Sequence, residues 1–242
     1  MTRILAIVPC YNEQGTIRTL AIELSRLPEL TVLVIDDCST DSTRNEAAGL
    51  DICHVASLKR NLGIGGAVQT GILYALQEDY DFCVQVDGDG QHPPHEISKL
   101  LDRQRETGSN IVIGSRYLES MGFQSTRLRR MGIRLIRFAL SVGFTRTLIS
   151  DPTSGFRLMD RKAIELFARN YPYDFPEPIS VAWALRRGLS ISEVPVEMRE
   201  RVCNTSSITG MKTAIYMLRV IGYIVLYMIA DWISEGVREK CI

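Results

Sequence analysis

Short apolar runs alternate with longer amphipathic segments through the first half of the chain. Runs such as "RILAIV" (3–8) have the length and composition of buried strands, whereas "EQGTIRTLAIELSRL" (13–27) carries apolar side chains at helical spacing. The pattern predicts strands over 3–8, 31–36, 51–56, 81–86 and 110–115, and helices over 13–27, 65–79 and 94–107, with one more helix capped by Ser39 or Asp41. This alternation is typical of an α/β fold with a mostly parallel central sheet and helices on both faces.

The second half of the chain is less regular. Its pattern predicts, in order, an arginine-rich helix over 126–142, a loop leading into a short strand over 150–160, a helix over 179–188, an extended segment over 190–199 and a polar loop over 201–210. From residue 211 onward the chain is apolar again. We expect one domain over 1–208 and a C-terminal apolar helix within 209–242.

Composition narrows the possible partners and the compartment. Lys and Arg together number 28, as do Asp and Glu, so the net charge is zero and no global field favours nucleic acid. The six cysteines are scattered without zinc-binding spacing, which favours buried thiols in a reducing cytoplasm. The apolar stretch before Pro9 is too short for a signal peptide and predicts a first strand.

Polar motifs follow each of the five predicted strands. These motifs are, in chain order, "PCYNE", "DDCSTDST", "KRNLGIGG", "DGDGQH" and "SR". Because the carboxyl ends of parallel strands meet at one edge of the sheet, we expect these loops to form one site there.

Asp87 and Asp89 stand one glycine apart directly after a predicted strand. Carboxylate oxygens are hard ligands, and Mg²⁺ or Mn²⁺ is commonly held by one or two of them together with substrate phosphates. Gln91 and His92 are near enough in sequence to orient a phosphate or a water. The alternative is a surface turn rich in Asp and Gly, which on this motif alone is equally acceptable. A calcium loop of the EF-hand type is disfavoured because its further acidic positions are missing.

Tyr11, Glu13, Asp36 and Asp37 offer an aromatic face and polar acceptors at two neighbouring strand ends. A nucleotide needs a ring for stacking and acceptors for base and ribose groups. Taken singly, Glu13 is a favourable first-turn acid and Asp37 a capping residue. Taken together on adjacent strands, they favour a nucleotide site. The segment "NLGIGGAVQTG" (61–71) resembles a phosphate loop but matches neither GxGxxG nor a Walker sequence.

The motifs "PCYNE", "VIDDCSTDST", "NLGIGGAVQTG", "QVDGDGQH", "GSR" and "SDPTSGFR" occur in the order and approximate spacing of family 2 glycosyltransferases. Over about residues 3–208 the chain resembles the polyprenyl-phosphate branch of that family. The resemblance implies a nucleotide-diphosphate-sugar-binding fold of the GT-A type and inversion at the sugar carbon. It also implies Mg²⁺ or Mn²⁺ at Asp87 and Asp89 with Gln91 near the metal or diphosphate, and places Pro9, Tyr11, Glu13 and Asp36 around the nucleotide.

Asp151 matches an acidic residue that the family often uses as a base. A phosphate monoester has a second pKa of about 6, so such an acceptor is already mostly dianionic at neutral pH and needs no strong base. Asp151 is then available to hold the sugar or an arginine, and we expect Asp151→Asn to keep more activity than loss of Asp89. The residues that could bind an acceptor phosphate are Arg116, Arg127, Arg130, Arg199, Arg201 and Ser206. Each arginine alone is more often solvated or ion-paired.

Two segments suggest a membrane surface. Arg127, Arg130, Arg134 and Arg137 form a narrow stripe on the helix predicted over 126–142, and apolar residues fill much of its remaining circumference. The alternative is a solvated arginine face on a core helix. In 214–233 only Arg219 and Asp231 are charged, and the uncharged run between them is short for a membrane span. This favours a helix in the membrane interface or in an oligomer contact.

Together with these observations, the resemblance implies a metal-dependent inverting transferase with a nucleotide-sugar donor and a polyprenyl (undecaprenyl) phosphate acceptor, at the cytoplasmic face of the membrane. UDP-glucose or UDP-N-acetylglucosamine is the expected donor, by resemblance to short bacterial members of the branch. A homo-oligomer and a small membrane-protein partner are further expectations. The alternatives are a soluble or polysaccharide acceptor and a non-catalytic nucleotide-sugar scaffold. A Rossmann dehydrogenase is disfavoured because GxGxxG is absent after the first strand.

Overall fold

The structure is a computed structural model of the 242-residue chain. It describes residues 2–118, 127–143, 149–199 and 219–226, and within the second of these ranges it describes the side chains of 131–142.

The centre of the molecule is a seven-stranded sheet with the strand order β3-β2-β1-β4-β6-β5-β7. The strands are β1 (Ile4–Cys10), β2 (Leu30–Asp36), β3 (His54–Ser57), β4 (Phe82–Gln85), β5 (Ile111–Ser115), β6 (Arg157–Asp160) and β7 (Ile191–Pro195). Strand β6 runs antiparallel to β4 and β5, while all other pairs are parallel. The predicted mostly parallel sheet is therefore confirmed, and the position of β6 between β4 and β5 is new.

Seven α-helices accompany these strands in the described part of the chain. They are α1 (Ile17–Ser25), α2 (Thr43–Ala48), α3 (Gly63–Gln77), α4 (Ile97–Thr107), α5 (Arg127–Gly143), α6 (Arg161–Arg169) and α7 (Pro176–Arg186). Residues 219–226 are also helical. Helix α1 begins later than predicted because the Glu13 carbonyl first accepts the amides of Thr16 and Ile17 in a turn. Helix α6 was not predicted; it follows β6 directly, and the Asp160 side chain caps it at Ala163 N.

Both faces of the sheet are buried. Along β1, Leu5 and Ile7 enter one apolar cluster, and Ala6 and Val8 enter the other. Helices α3, α5, α6 and α7 and the 219–226 segment pack on the first face, and α1, α2 and α4 pack on the second. A strand covered on both sides carries apolar residues at nearly every position, which is why the short apolar runs predicted the sheet.

Candidate functional site

The predicted strand-end residues surround the thiol of Cys10. Cys10 is the last residue of β1 and lies opposite Asp36 of β2. Burial raises the pKa of the Cys10 thiol well above its ordinary value, and the charges of four carboxylates raise it further. These carboxylates are Glu13, Asp36, Asp87 and Asp89. Side chains at or just after the ends of β1, β2 and β4 therefore form one acidic centre at the rim of the sheet.

The turn between Asp87 and Asp89 lies against β1. A Cβ atom on Gly88 would stand 2.5 Å from Cys10 Sγ, closer than real Cβ contacts allow, and 3.0 Å from the Pro9 carbonyl oxygen, which is also tight. Only glycine fits there, and the Gly88 amide donates to the Pro9 carbonyl at 3.2 Å. Pro9 itself is buried within β1. The turn is thereby fixed on the sheet, with one carboxylate on each side of it.

Asp87 is oriented by three neighbours. Its Oδ1 accepts from Gln85 Nε2 at 3.1 Å, and its backbone amide donates to His92 Nδ1 at 3.0 Å. Since Nδ1 accepts, the proton of the neutral imidazole is on Nε2, which lies 3.7 Å from Asp87 Oδ2. A Cβ on Gly155 would stand 2.8 Å from Asp87 Oδ2, so a distant loop also reaches this carboxylate.

His92 is buried, and its contact with a phosphate or a water stays a prediction. Its ring stacks on Phe156 with centroids 4.9 Å apart. His92 therefore links the Asp87 turn to the loop that precedes β6. Sequence reasoning also missed Gln85, whose polar side chain in an apolar strand was the available signal.

The chemistry of these side chains fits a divalent cation shared with a substrate. Asp87 and Asp89 are hard oxygen donors, and Asp89 is 8% exposed with its Oδ1 accepting the Gln91 amide at 3.0 Å. In the described part of the chain, no group of three or more His, Cys, Asp or Glu side chains is arranged to hold a metal. Two carboxylates would thus leave the remaining coordination positions of Mg²⁺ or Mn²⁺ to phosphate oxygens and water.

The residues predicted to bind a nucleotide lie at the ends of β1 and β2 and in the loops that follow them. Asn12 adopts φ 57° and its Oδ1 accepts the Thr40 amide at 2.8 Å, which ties the two loops together. Asp36 is 2% exposed and accepts the Ser39 amide at 3.1 Å. Tyr11 is 48% exposed, so its ring is accessible for stacking. These residues are brought together as predicted, while their contact with a nucleotide stays a prediction.

Asp37 has a structural role in this arrangement. Its two carboxylate oxygens accept the amides of Leu62 and Gly63 at 2.7 and 2.8 Å, at the start of α3. Burial raises the pKa of Asp37, and the two amide bonds only partly offset this effect. The helix N-terminus that resembled a phosphate loop is therefore occupied by a side chain of the protein. This agrees with the capping alternative for Asp37, and its contact with a nucleotide stays a prediction.

Arg116 and Asp151, both expected near an acceptor, form a buried ion pair. Arg116 Nε and Nη2 donate to the two oxygens of Asp151 at 2.6 and 2.9 Å, and Asp151 is 0% exposed. Burial lowers the pKa of Arg116, but the charge and hydrogen bonds of Asp151 outweigh it and raise the pKa above its ordinary value. Arg116 therefore stays charged inside the protein. Of the two roles expected for Asp151 besides a base, holding an arginine is the one that the structure contains.

The loop that carries Asp151 is held by two charged side chains that no sequence argument had selected. The amides of Ser150 and Asp151 donate to the carboxylate of Glu193 on β7 at 2.6 and 2.8 Å. Arg157, 3% exposed, donates to the carbonyls of Ser154 and Pro152 at 2.6 and 2.8 Å. Arg157 belongs to the "SDPTSGFR" motif, and the signal at Glu193 is an acid within a strand of sequence "ISEVP".

The structure describes only some of the other residues that are predicted to bind an acceptor phosphate. The guanidinium of Arg199 pairs with Glu23 of α1 at 3.0 Å, while its backbone amide donates to the Gln91 carbonyl. Arg127 and Arg130 are in α5, but their side chains lie outside the described residues, as do Arg201 and Ser206 entirely. The backbone of Arg199 thus contacts the edge of the Asp87–Gln91 turn, whereas its guanidinium forms an ion pair with helix α1.

Comparisons with known proteins agree on the family. Residues 5–167 match the model of Glycosyl transferase family 2. The polyprenol monophosphomannose synthase of Mycolicibacterium smegmatis is 30% identical over 98% of this chain and 88% of its own length. The undecaprenyl-phosphate mannosyltransferase of Micrococcus luteus is 32% identical over 86% of this chain and 88% of its own length.

A solved structure gives the same fold. Glucosyl-3-phosphoglycerate synthase from Mycobacterium tuberculosis, crystallised with Mn²⁺, UDP-glucose and phosphoglyceric acid, superposes with a TM-score of 0.68 at 19% identity. The match covers 94% of this chain and 80% of that chain. The predicted GT-A type of fold is thereby confirmed.

Proposed function

The chain belongs to glycosyltransferase family 2, and we propose that it transfers a sugar from a nucleotide diphosphate to a polyprenyl phosphate with inversion at the sugar carbon. The observation that carries this proposal is that one loop contacts both the acidic centre and a buried arginine. Gly155 contacts Asp87, and the same loop carries Asp151, which holds Arg116. A carboxylate pair suits a metal-bound diphosphate, and a guanidinium suits an anionic acceptor. The two curated relatives described above are named for acceptors of this class, which supports the proposal.

Each group then has a task in the reaction. Asp87 and Asp89 would hold Mg²⁺ or Mn²⁺, which when bound neutralises charge on the departing diphosphate. Tyr11, Glu13 and Asp36 bind the nucleoside, and Arg116 attracts the acceptor phosphate. A phosphate oxygen of the acceptor forms the new bond to the sugar carbon as the bond to the diphosphate oxygen breaks on the opposite face. The acceptor is dianionic at neutral pH, so no proton has to move to Asp151.

The identity of the donor belongs to this proposal and is open to direct test. The sequence resemblance favours UDP-glucose or UDP-N-acetylglucosamine, whereas both curated relatives are named for mannose. Thermal stabilisation with Mn²⁺ present, measured against UDP-glucose, UDP-N-acetylglucosamine and GDP-mannose, ranks these donors. We expect a uridine donor to give the largest rise in melting temperature, and the largest rise with GDP-mannose would contradict the uridine assignment.

Helix α5 supports the association with a membrane. Its core-facing residues Ile133, Ile136 and Leu140 are at most 3% exposed. Large apolar residues also line its exposed side, namely Met131, Leu135, Phe138 and Val142 at 56%, 50%, 68% and 58% exposure. A solvated face on a core helix would be polar, so this exposed apolar stripe favours the membrane interpretation.

No helix in the described ranges is both long and apolar enough to cross a bilayer. We propose peripheral attachment at the cytoplasmic face, through α5 and the C-terminal segment. Within that segment, Val220 and Ile224 are buried against the core and Leu226 is 62% exposed.

The experiment that tests the proposed function follows labelled sugar from donor to product. The protein is incubated with radiolabelled donors, Mn²⁺ and undecaprenyl phosphate, and the mixture is extracted with organic solvent. We expect label in the organic phase with the wild type and not with Asp89→Asn. Label that stays in the aqueous phase on a new product would indicate a soluble acceptor, and no turnover of any donor would favour a binding scaffold.

A further inference from the structure

The loop from Ser150 to Gly155 runs inside the protein. Asp151, Pro152, Ser154 and Gly155 are all buried. A buried loop has backbone amides and carbonyls that water cannot reach, and each of them costs free energy if it has no partner. The partners that this loop finds therefore determine its conformation.

The partners of the loop come from both sides and carry opposite charges. The Arg157 guanidinium donates hydrogen bonds to the carbonyls of Pro152 and Ser154, and the Ser154 amide donates to the Asp151 carbonyl at 3.2 Å. Residue 152 is a proline and has no amide proton to satisfy. At the start of the loop, the amides of Ser150 and Asp151 both donate to Glu193.

Glu193 and Arg116 belong to one rigid frame. Glu193 lies on β7, where it pairs with Ile113 of β5, and β5 ends at Ser115 directly before Arg116. The Glu193 carboxylate fixes the backbone of Asp151 to that frame. The Asp151 side chain then meets Arg116 at 2.6 and 2.9 Å. Glu193 therefore fixes the geometry of the Asp151–Arg116 pair through the backbone of Asp151.

On the basis of the function proposed above, we propose that Glu193 is a positioning residue for the acceptor. By holding the amides of Ser150 and Asp151, it keeps Asp151 against Arg116 and so keeps the guanidinium where the acceptor phosphate binds. Glutamine at this position has one acceptor oxygen and one NH₂ group, and the NH₂ group would face an amide N–H. Glu193→Gln therefore keeps the hydrogen bond to one of the two amides. It loses the hydrogen bond to the second amide and places an NH₂ donor against that N–H group.

The kinetic test separates acceptor from donor. We expect Glu193→Gln to raise the KM for undecaprenyl phosphate about tenfold and to leave the donor KM within about twofold, because hydrogen bonds to a charged group contribute about this much. Glu197→Gln is the matched control, since Glu197 is exposed on the same segment and the charge change is identical. A Glu193→Gln acceptor KM equal to that of the control would overturn the proposal, even if the melting temperature falls. Glu193→Asp keeps the charge and serves in place of Glu193→Gln if that variant does not fold.

A second readout does not need activity. Phenylglyoxal modifies accessible arginines, and mass spectrometry follows the modification of Arg116 with Arg199 as an exposed reference. We expect Arg116 to react slowly in the wild type and in Glu197→Gln, and severalfold faster in Glu193→Gln. If the wild type transfers no sugar to undecaprenyl phosphate, the proposed function fails and this readout alone decides the role of Glu193. Unchanged reactivity of Arg116 in Glu193→Gln would then overturn the positioning role.

Discussion

At the scale of single residues, the site depends on two glycines whose backbone lies very close to a neighbouring side chain. Gly88 lies against Cys10, and Gly155 lies against Asp87, in each case closer than a Cβ atom would permit. The two glycines differ in what a side chain would displace. At Gly88 the obstacles include the backbone of Pro9, whereas at Gly155 they are the ends of the Asp87 and Gln85 side chains. Substitution at Gly155 should therefore disturb the site and spare the fold.

We expect Gly155→Ala to weaken Mn²⁺ binding about tenfold, since the added methyl group displaces the Asp87 carboxylate and a shift of one ligand typically costs this much affinity. The melting temperature should change little. Gly222→Ala is the control, because Gly222 is in the helical segment 219–226 and a methyl group added there would meet no atom within 4 Å. Mn²⁺ titration followed by electron paramagnetic resonance measures both variants. Equal affinities in the two would contradict a constraint of Asp87 by this loop.

The two acids that the motifs selected should respond differently to amidation. Asp151→Asn leaves Arg116 as a buried charge without its carboxylate, and breaking such a pair costs about 3–5 kcal/mol, or roughly 6–20 °C in melting temperature. Asp89→Asn relieves repulsion among the carboxylates near Cys10 and should cost little stability. Assayed at a temperature where both variants are folded, Asp151→Asn should keep more activity than Asp89→Asn. Equal and complete loss in both would indicate that Asp151 takes part in the chemistry directly.

The sequence pointed to the candidate site residues more readily than to the residues that hold them in place. Asp87, Asp89, Asp151 and Arg116 stand in recognisable motifs at strand ends. Gln85, Glu193 and the buried position of His92 were not anticipated, because their roles depend on contacts between segments far apart in the chain. Glu193, for example, accepts hydrogen bonds from the amides of Asp151 and Ser150, which lie 42 and 43 positions earlier in the chain. No local sequence pattern predicts such a contact.

At the scale of elements, hydrophobic periodicity predicted all five strands of the first half to within a few residues. Helix α5 was predicted over 126–142 and spans Arg127–Gly143. Helix α6 was missed because β6 passes into it without an intervening loop. The pairing of β6 with β4 and β5 could not be predicted, since apolar strands carry no signal for which neighbour they join.

Helix α5 provides the test at this scale. Phe138 is 68% exposed, and we expect Phe138→Asp to reduce binding to phosphatidylglycerol vesicles about tenfold or more, from the lost burial of an aromatic side chain in the interface. The control is Leu73→Asp on α3, where a leucine is 47% exposed on another helix. Cosedimentation with vesicles measures both. Equal binding of the two variants would argue that α5 does not contact the membrane.

At the scale of the whole molecule, the insertion of β6 creates the site. Because β6 runs antiparallel to its neighbours β4 and β5, the loop before β6 reaches the same rim as the carboxyl ends of β4 and β5. That placement brings Gly155 to Asp87 and Asp151 to Arg116. The zero net charge of the chain agrees with this local arrangement, in which charges act in pairs and clusters and not as a global field.

The central claim is that a divalent cation links Asp87 and Asp89 to the diphosphate of the donor. Mn²⁺ titration by electron paramagnetic resonance, with and without UDP or GDP, tests it most directly. We expect weak Mn²⁺ binding to the wild type alone, tightening at least about tenfold with one of the two nucleotides, and no such tightening in Asp89→Asn. Equal Mn²⁺ affinity in the wild type and Asp89→Asn, with nucleotide binding undiminished in the absence of metal, would contradict the account.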